Sequence, residues 1–284
     1  MALSPDRIEI LKKIDEYEKN GWFDRDVEDD PPTEPLDYNK VDYTQKKLSS
    51  KIKTKIANTV ARNYFDNLIK EKQLIIKEIR GIENFTSVSG GAILTCNHFN
   101  AYDNYAVYKT IQPHMGKKML YKIIREGNYT SFGGFYGYLF RHCNTLPLSS
   151  SLSGMRALLG AIKELLFRGE KILIYPEQSM WYNYRKPKPL KIGAFSFAAK
   201  NNAPVLPIFI TLEDTENFDS DGCKIQAYTV HVLSPIFPDE HLTARENAEK
   251  MCKQNYLLWQ KVYEDFYGKR LEYTTKGEVK ICSI

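Results

Sequence analysis

From residue 76 onward, short apolar runs alternate with longer segments of helical period, and this rhythm limits the fold more than any other feature of the chain. "GGAILTC" (90–96), "KILIYP" (171–176), "VLPIFITL" (205–212) and "CKIQAYTVHVL" (223–233) read as strands, and "IIKEIRGIENF" as a strand and turn. Between them, "AYDNYAVYKTI" and "IGAFSFAAKNN" read as helices. "SLSGMRALLGAIKELLFRG" is a helix whose Leu152, Met155, Leu158, Leu159, Ile162, Leu165 and Leu166 share one face, with Gly169 suited to its stop. Thr243 and Glu246 form a capping box that opens a last helix ending near Tyr267. The alternation predicts an α/β fold: a central, mostly parallel sheet flanked by helices, with an N-terminal helical extension. Residues 76–284 would form the α/β body and residues 1–75 the extension. Ligands of such sheets sit beyond the carboxyl ends of the strands, where "NHFNAYD" and "YPEQS" fall.

The 284 residues, 43% hydrophobic and 13% aromatic, suffice for a real core. Five cysteines (Cys96, Cys143, Cys223, Cys252 and Cys282) are scattered without metal-ligand spacing, so they read as reduced thiols and the protein as cytoplasmic. The first twenty residues lack a signal-peptide core, and no segment approaches the ~20 apolar residues that cross a bilayer. "FGGFYGYLF" (132–140) is too short to span; it would line a groove, dip into lipid or join the core.

Charge is distributed unevenly. Residues 1–39 carry five basic and twelve acidic side chains, whereas the remainder has a net charge of +12. "DRDVEDDPPTEPLDYNK" (24–40) reads as an extended linker or surface arm. After it, Leu48, Ile52, Ile56 and Val60 recur every four residues among Lys46, Lys47, Lys51, Lys53, Lys55 and Arg62. This basic amphipathic helix would lie in an anionic membrane interface, or pack on its own domain with its lysines in solvent. A basic body suits an anionic partner, but no nucleic-acid-reading motif is present.

Two strand ends carry candidate chemistry. His98 in a turn and Asp103 in the first turn of a helix capped by Asn100 would bring imidazole and carboxylate together. The carboxylate would fix the tautomer and leave the other nitrogen as a general base. The alternative is that Asp103 only caps its helix. Glu177, just past Pro176, is placed to bind a hydroxyl, and Arg185, Lys186, Lys188 and Lys191 to meet a phosphate. The alternative for this basic run is a solvated loop.

Together "NHFNAYD", "YPEQS", "APVLPIFI" and "RGIENF", in this order and spacing, resemble the glycerophospholipid acyltransferase family: its N-H-x4-D signature, F-P-E-G-T block, V-I-P-V block and G-x-E-N lead-in. The resemblance is to lysophosphatidic acid acyltransferases and covers about residues 78–235. It implies that His98, oriented by Asp103, deprotonates an acceptor hydroxyl that attacks an acyl thioester directly, in a ternary complex. Glu177 would hold the glycerol portion of the acceptor. Acyl-CoA or acyl carrier protein would be the donor, with no bound cofactor and no metal. The acceptor implied is a lysophospholipid, foremost 1-acyl-glycerol-3-phosphate, met by a protein peripherally associated with the inner face of the membrane. No G-x-S-x-G elbow supplies a serine nucleophile, and oxyanion donors are expected among backbone N–H groups near the strand ends.

The block departs from the family at Gln178, Ser179 and Met180, which stand where it has glycine, threonine and arginine. Ser179 keeps a hydroxyl for the substrate and Arg125 a phosphate contact, while serines of "NTLPLSSS" occupy the place of another arginine. Another hydroxylated lipid or glycan is therefore the alternative acceptor. A non-catalytic lipid-binding protein of the same fold and a hydrolase are the alternative functions.

Overall fold

The computed structural model describes residues 2–283. The chain opens with α1 (Pro5–Asn20), α2 (Leu48–Lys70), β1 (Ile75–Arg80), α3 (Ile82–Thr86), β2 (Ala92–Thr95) and α4 (Asp103–Ile111). There follow β3 (Leu120–Ile124), α5 (Glu126–Thr130), α6 (Gly134–His142), β4 (Thr145–Pro147), α7 (Leu152–Phe167) and β5 (Lys171–Ile174). It closes with β6 (Leu190–Lys191), α8 (Gly193–Lys200), β7 (Val205–Phe218), β8 (Lys224–Val232), α9 (Ala244–Tyr267) and β9 (Cys282–Ser283).

Seven strands form one sheet in the order β1-β8-β7-β2-β5-β3-β4, parallel at every pairing except the antiparallel β7–β8 hairpin. The fold is the α/β architecture that the alternation predicts. Strand residues alternate between two cores. Ile93, Ile172, Val205 and Phe209 face one side, packed by α7, α8 and α9. Ala92, Leu94, Leu173, Leu206 and Ile208 face the other, with Phe65, Phe85 and Tyr105 from α2, α3 and α4. Both faces are covered, which is why the central strands are apolar at every position. Thr243 and Glu246 cap α9 reciprocally, as expected.

Three expectations meet different outcomes. The cysteines are not all thiols: Cys252 of α9 and Cys282 of β9 form a disulfide, because parallel pairing of β9 with β6 brings their Cα atoms to 6.3 Å. Cys96, Cys143 and Cys223 are free and buried. The bridge removes two cysteines from the argument for a reducing compartment.

The acidic segment after α1 runs along the body rather than away from it. Phe23 and Val27 are buried with Ile14 and Trp181, and the Phe23 and Trp181 rings stack at 5.7 Å.

The α2 helix forms as its period predicts, but not with its leucine-isoleucine row inward. Leu48, Ile52, Ile56 and Val60 are 72, 50, 52 and 38% exposed, while Thr54, Ala57, Phe65 and Leu68 make the buried face. Packing on its own domain therefore does not account for that row. Small Ala57 allows close approach to Leu139 and Cys143 of the α6 region. On α6, Phe135 and Tyr136 are exposed beside Tyr64 of α2, whereas Leu139 is buried.

Candidate active site

Strands β2 and β5 are parallel neighbours, with Thr95 opposite Ile174, so the segments leaving their carboxyl ends emerge side by side. Asn97 pins the first segment to β7: its Nδ2 donates to Ile210 O at 3.0 Å and its Oδ1 accepts from Ile210 N at 2.8 Å. Trp181 N donates to His98 O at 3.2 Å and Asn183 N to Phe99 O at 2.8 Å, tying the two segments together.

On this support His98 Nδ1 lies 2.7 Å from Asp103 Oδ2. Asp103 is fully buried, while the His98 side chain keeps 23% of its surface exposed. Helix α4 begins at Asp103 itself rather than after an Asn100 cap; Asn100 instead closes a turn by accepting from Tyr102 N at 3.1 Å. Asp103 Oδ2 reaches back to accept from Phe99 N at 3.1 Å and Asn100 N at 3.3 Å. Its other oxygen accepts from the Tyr175 hydroxyl at 2.6 Å. The Tyr175 ring stacks on the His98 imidazole, 4.0 Å between centroids and 19° from parallel. Burial, beside the Asp103 charge, pushes the Tyr175 pKa well above its ordinary value and keeps the hydroxyl a donor. With Nδ1 donating to the carboxylate, Nε2 carries the lone pair.

Glu177 occupies a different place from the one expected. It is 2% exposed, and its oxygens accept from His98 N at 3.0 Å and Lys188 N at 2.8 Å. A carboxylate so enclosed joins three segments and presents no open face to an acceptor hydroxyl. Burial raises its pKa despite buried Lys188, whose Nζ lies 3.9 Å away. Burial likewise lowers the pKa of Lys188 to about 8.

Ser179 is also sealed, donating to Phe23 O at 2.7 Å and accepting from Lys188 Nζ at 2.8 Å. Arg125 is bonded to Asp26 and donates to Gln178 O at 2.9 Å. Arg185 donates to Asp214 at 2.6 Å, and Lys186 to Glu18 at 2.6 Å. These expected substrate ligands surround the second segment, yet each is committed to a group of the chain itself.

The N–H groups of His98, Phe99 and Asn100, the nearest expected oxyanion donors, are likewise spent on Glu177 and Asp103. Gln178 sits at φ 66°, a left-handed conformation suited to the glycine of the resembled block. Asn97 and Tyr175 are the contributors that sequence reasoning missed. Their signals were an amide before the histidine and a tyrosine where the resembled block has phenylalanine.

Residues 77–211 match the family model described as Acyltransferase. Among solved structures, the chain is similar to the 1-acyl-sn-glycerophosphate (LPA) acyltransferase PlsC from Thermotoga maritima. The identity is 18% and the TM-score 0.50, over 81% of this chain and 87% of that one, a likeness of fold. No curated protein matches the chain.

Proposed function

We propose that this chain, whose residues 77–211 match the Acyltransferase family model, is a member of the glycerophospholipid acyltransferase family and moves a fatty acyl group from an acyl thioester to a hydroxyl of a lipid acceptor. The observation that carries this reading is the His98–Asp103 pair at 2.7 Å past a strand end, with 23% of the imidazole side chain exposed.

In this reading Nε2 takes the proton of the acceptor hydroxyl as its oxygen attacks the thioester carbonyl. The C–O bond forms, the C–S bond breaks, and the imidazolium returns the proton to the departing thiolate. Buried Asp103 stabilises the imidazolium while it lasts. Direct transfer is favoured over a covalent intermediate by the state of the nearby nucleophiles. Ser179 is sealed, and Cys96 is fully buried with its pKa raised by burial, so thiolate is scarce. The donor is acyl-CoA or acyl carrier protein. A lysophospholipid is the acceptor class in the name of the similar 1-acyl-sn-glycerophosphate acyltransferase.

Peripheral attachment to an anionic bilayer accompanies this chemistry. Among the described residues no helix is long and apolar enough to cross a membrane. The outward row of Leu48, Ile52, Ile56 and Val60, bordered by exposed Lys51, Lys53 and Lys55, has the form of an interfacial helix. Exposed Phe135 and Tyr136 extend the same surface.

The test is release of free thiol from a long-chain acyl-CoA by purified protein, with and without a panel of lysolipids. Acceptor-dependent release supports transfer. Acceptor-independent release would make the protein a hydrolase, and no release a lipid-binding protein.

A further inference from the structure

The five cations expected to meet a phosphate are each spent on groups of the chain, and this bears on which acceptor the acyl group reaches. Arg125 is held by Asp26, by Gln178 O and, at 3.8 Å, by Asp30. Arg185 is held by Asp214 and Gln226, Lys186 by Glu18, and Lys191 by Asp24 at 3.2 Å. Lys188 is sealed, 1% exposed, with its ammonium on Ser179 O at 2.6 Å. From this pattern, and resting on the acyl-transfer reading above, we infer that the acceptor is a lipid with an uncharged, hydroxyl-bearing head group and no phosphomonoester.

A phosphomonoester carries about −1.5 to −2 charges at neutral pH and binds where free guanidinium or ammonium groups converge. Beside Arg125 it would meet carboxylates instead. A hollow of about 400 Å³ beside Arg125 is lined by Asp26, Glu28, Asp29 and Asp30. These carboxylates do not ride on a loose flap. Val27 is fully buried, Ser179 Oγ donates to Phe23 O at 2.7 Å, and Trp181 Nε1 donates to Arg25 O at 2.9 Å. A carboxylate held so close has a high effective concentration against a phosphate arriving from solution or from a bilayer. Hydroxyl groups of a neutral head group donate hydrogen bonds to the same carboxylates without charge conflict.

The experiment compares 1-acylglycerol, a monoacylated neutral glycolipid and lysophosphatidate as acceptors. All three are presented in uncharged detergent micelles, so that surface charge does not enter, with acyl-CoA as donor and free thiol as the signal. The expected result is a kcat/KM for at least one neutral acceptor about tenfold or more above that for lysophosphatidate. A D26N/D30N double variant, which frees Arg125, is expected to shrink that ratio by about fivefold or more. Lysophosphatidate used as well as, or better than, both neutral acceptors would overturn the inference while leaving acyl transfer intact. So would a ratio that the double variant, shown to be folded, leaves unchanged. Acceptor-independent release, or none at all from folded wild type, would remove the acyl-transfer reading itself and the inference with it.

Discussion

Tyr175 donates its hydroxyl hydrogen to Asp103 at 2.6 Å while its ring lies against the imidazole that the same carboxylate holds. One side chain thus restrains both members of the pair, fixing the carboxylate from its far oxygen and the imidazole from its face. Tyr175→Phe keeps the stacking surface and removes the donor. The expected result is a fall in kcat of about tenfold, part of the ~1.5–3 kcal/mol carried by a hydrogen bond to a charged group, with acceptor KM unchanged. Tyr175→Ala, which also removes the stack, should lose more. A Tyr175→Phe enzyme with wild-type kcat would reduce the residue to packing.

The outward face of α2 predicts how the protein meets lipid. Each lysine near an anionic surface contributes about 1 kcal/mol. Reversing Lys51, Lys53 and Lys55 to glutamate should weaken sedimentation with phosphatidylserine vesicles by about a hundredfold or more. Wild-type binding should weaken with added salt. Ile52→Asp with Ile56→Asp should also release the protein, since both side chains are half exposed and cost the fold little. Unchanged sedimentation of either variant would mean that lipid is met elsewhere.

The Cys252–Cys282 bridge closes a loop of 30 residues and anchors β9. Loop entropy alone gives such a bridge about 3–4 kcal/mol of stability. Cys282→Ser is expected to lower the urea-unfolding free energy by that order relative to oxidised wild type, and to match wild type under reductant. Equal stability in all three states would show that the bridge contributes nothing.

His231, 6% exposed on β8, contributes an acid-sensitive element. Burial, with Arg80 nearby, lowers its pKa from an ordinary 6.5 to about 4. The folded state prefers the neutral ring, so its contribution is complete above pH 6.5 and is lost as pH falls through 4. The lowered pKa corresponds to about 3 kcal/mol across that window. His231→Gln should shrink by that order the stability lost between pH 6.5 and 4, measured by denaturant unfolding at each pH. An identical loss in the variant would place the acid sensitivity at other groups.

The central strands were legible because they are buried on both faces and therefore apolar throughout. β3 and β4 were not, since "LYKII" interrupts its run with a lysine and "TLP" is three residues long. The meeting of His98 with Asp103 follows from spacing across one turn, and the sequence showed it. Tyr175 was hidden because a tyrosine ending an apolar strand reads as core. Glu177 was misplaced for a related reason: a carboxylate after a strand looks open until the chain returns over it at Lys188. The period of α2 gave a helix but not its facing, which small Thr54 and Ala57 decide by letting that side approach the body. The cysteine pair lay beyond reach because nothing local marks two thiols that a short terminal strand later brings together.

The most direct test of the account is thiol release from a long-chain acyl-CoA in the presence of a lysolipid acceptor, compared between wild type and His98→Ala. Acceptor-dependent release is expected from wild type and a loss of about 10²–10⁴-fold in the variant, with unchanged circular dichroism. Turnover by His98→Ala at the wild-type rate would contradict it.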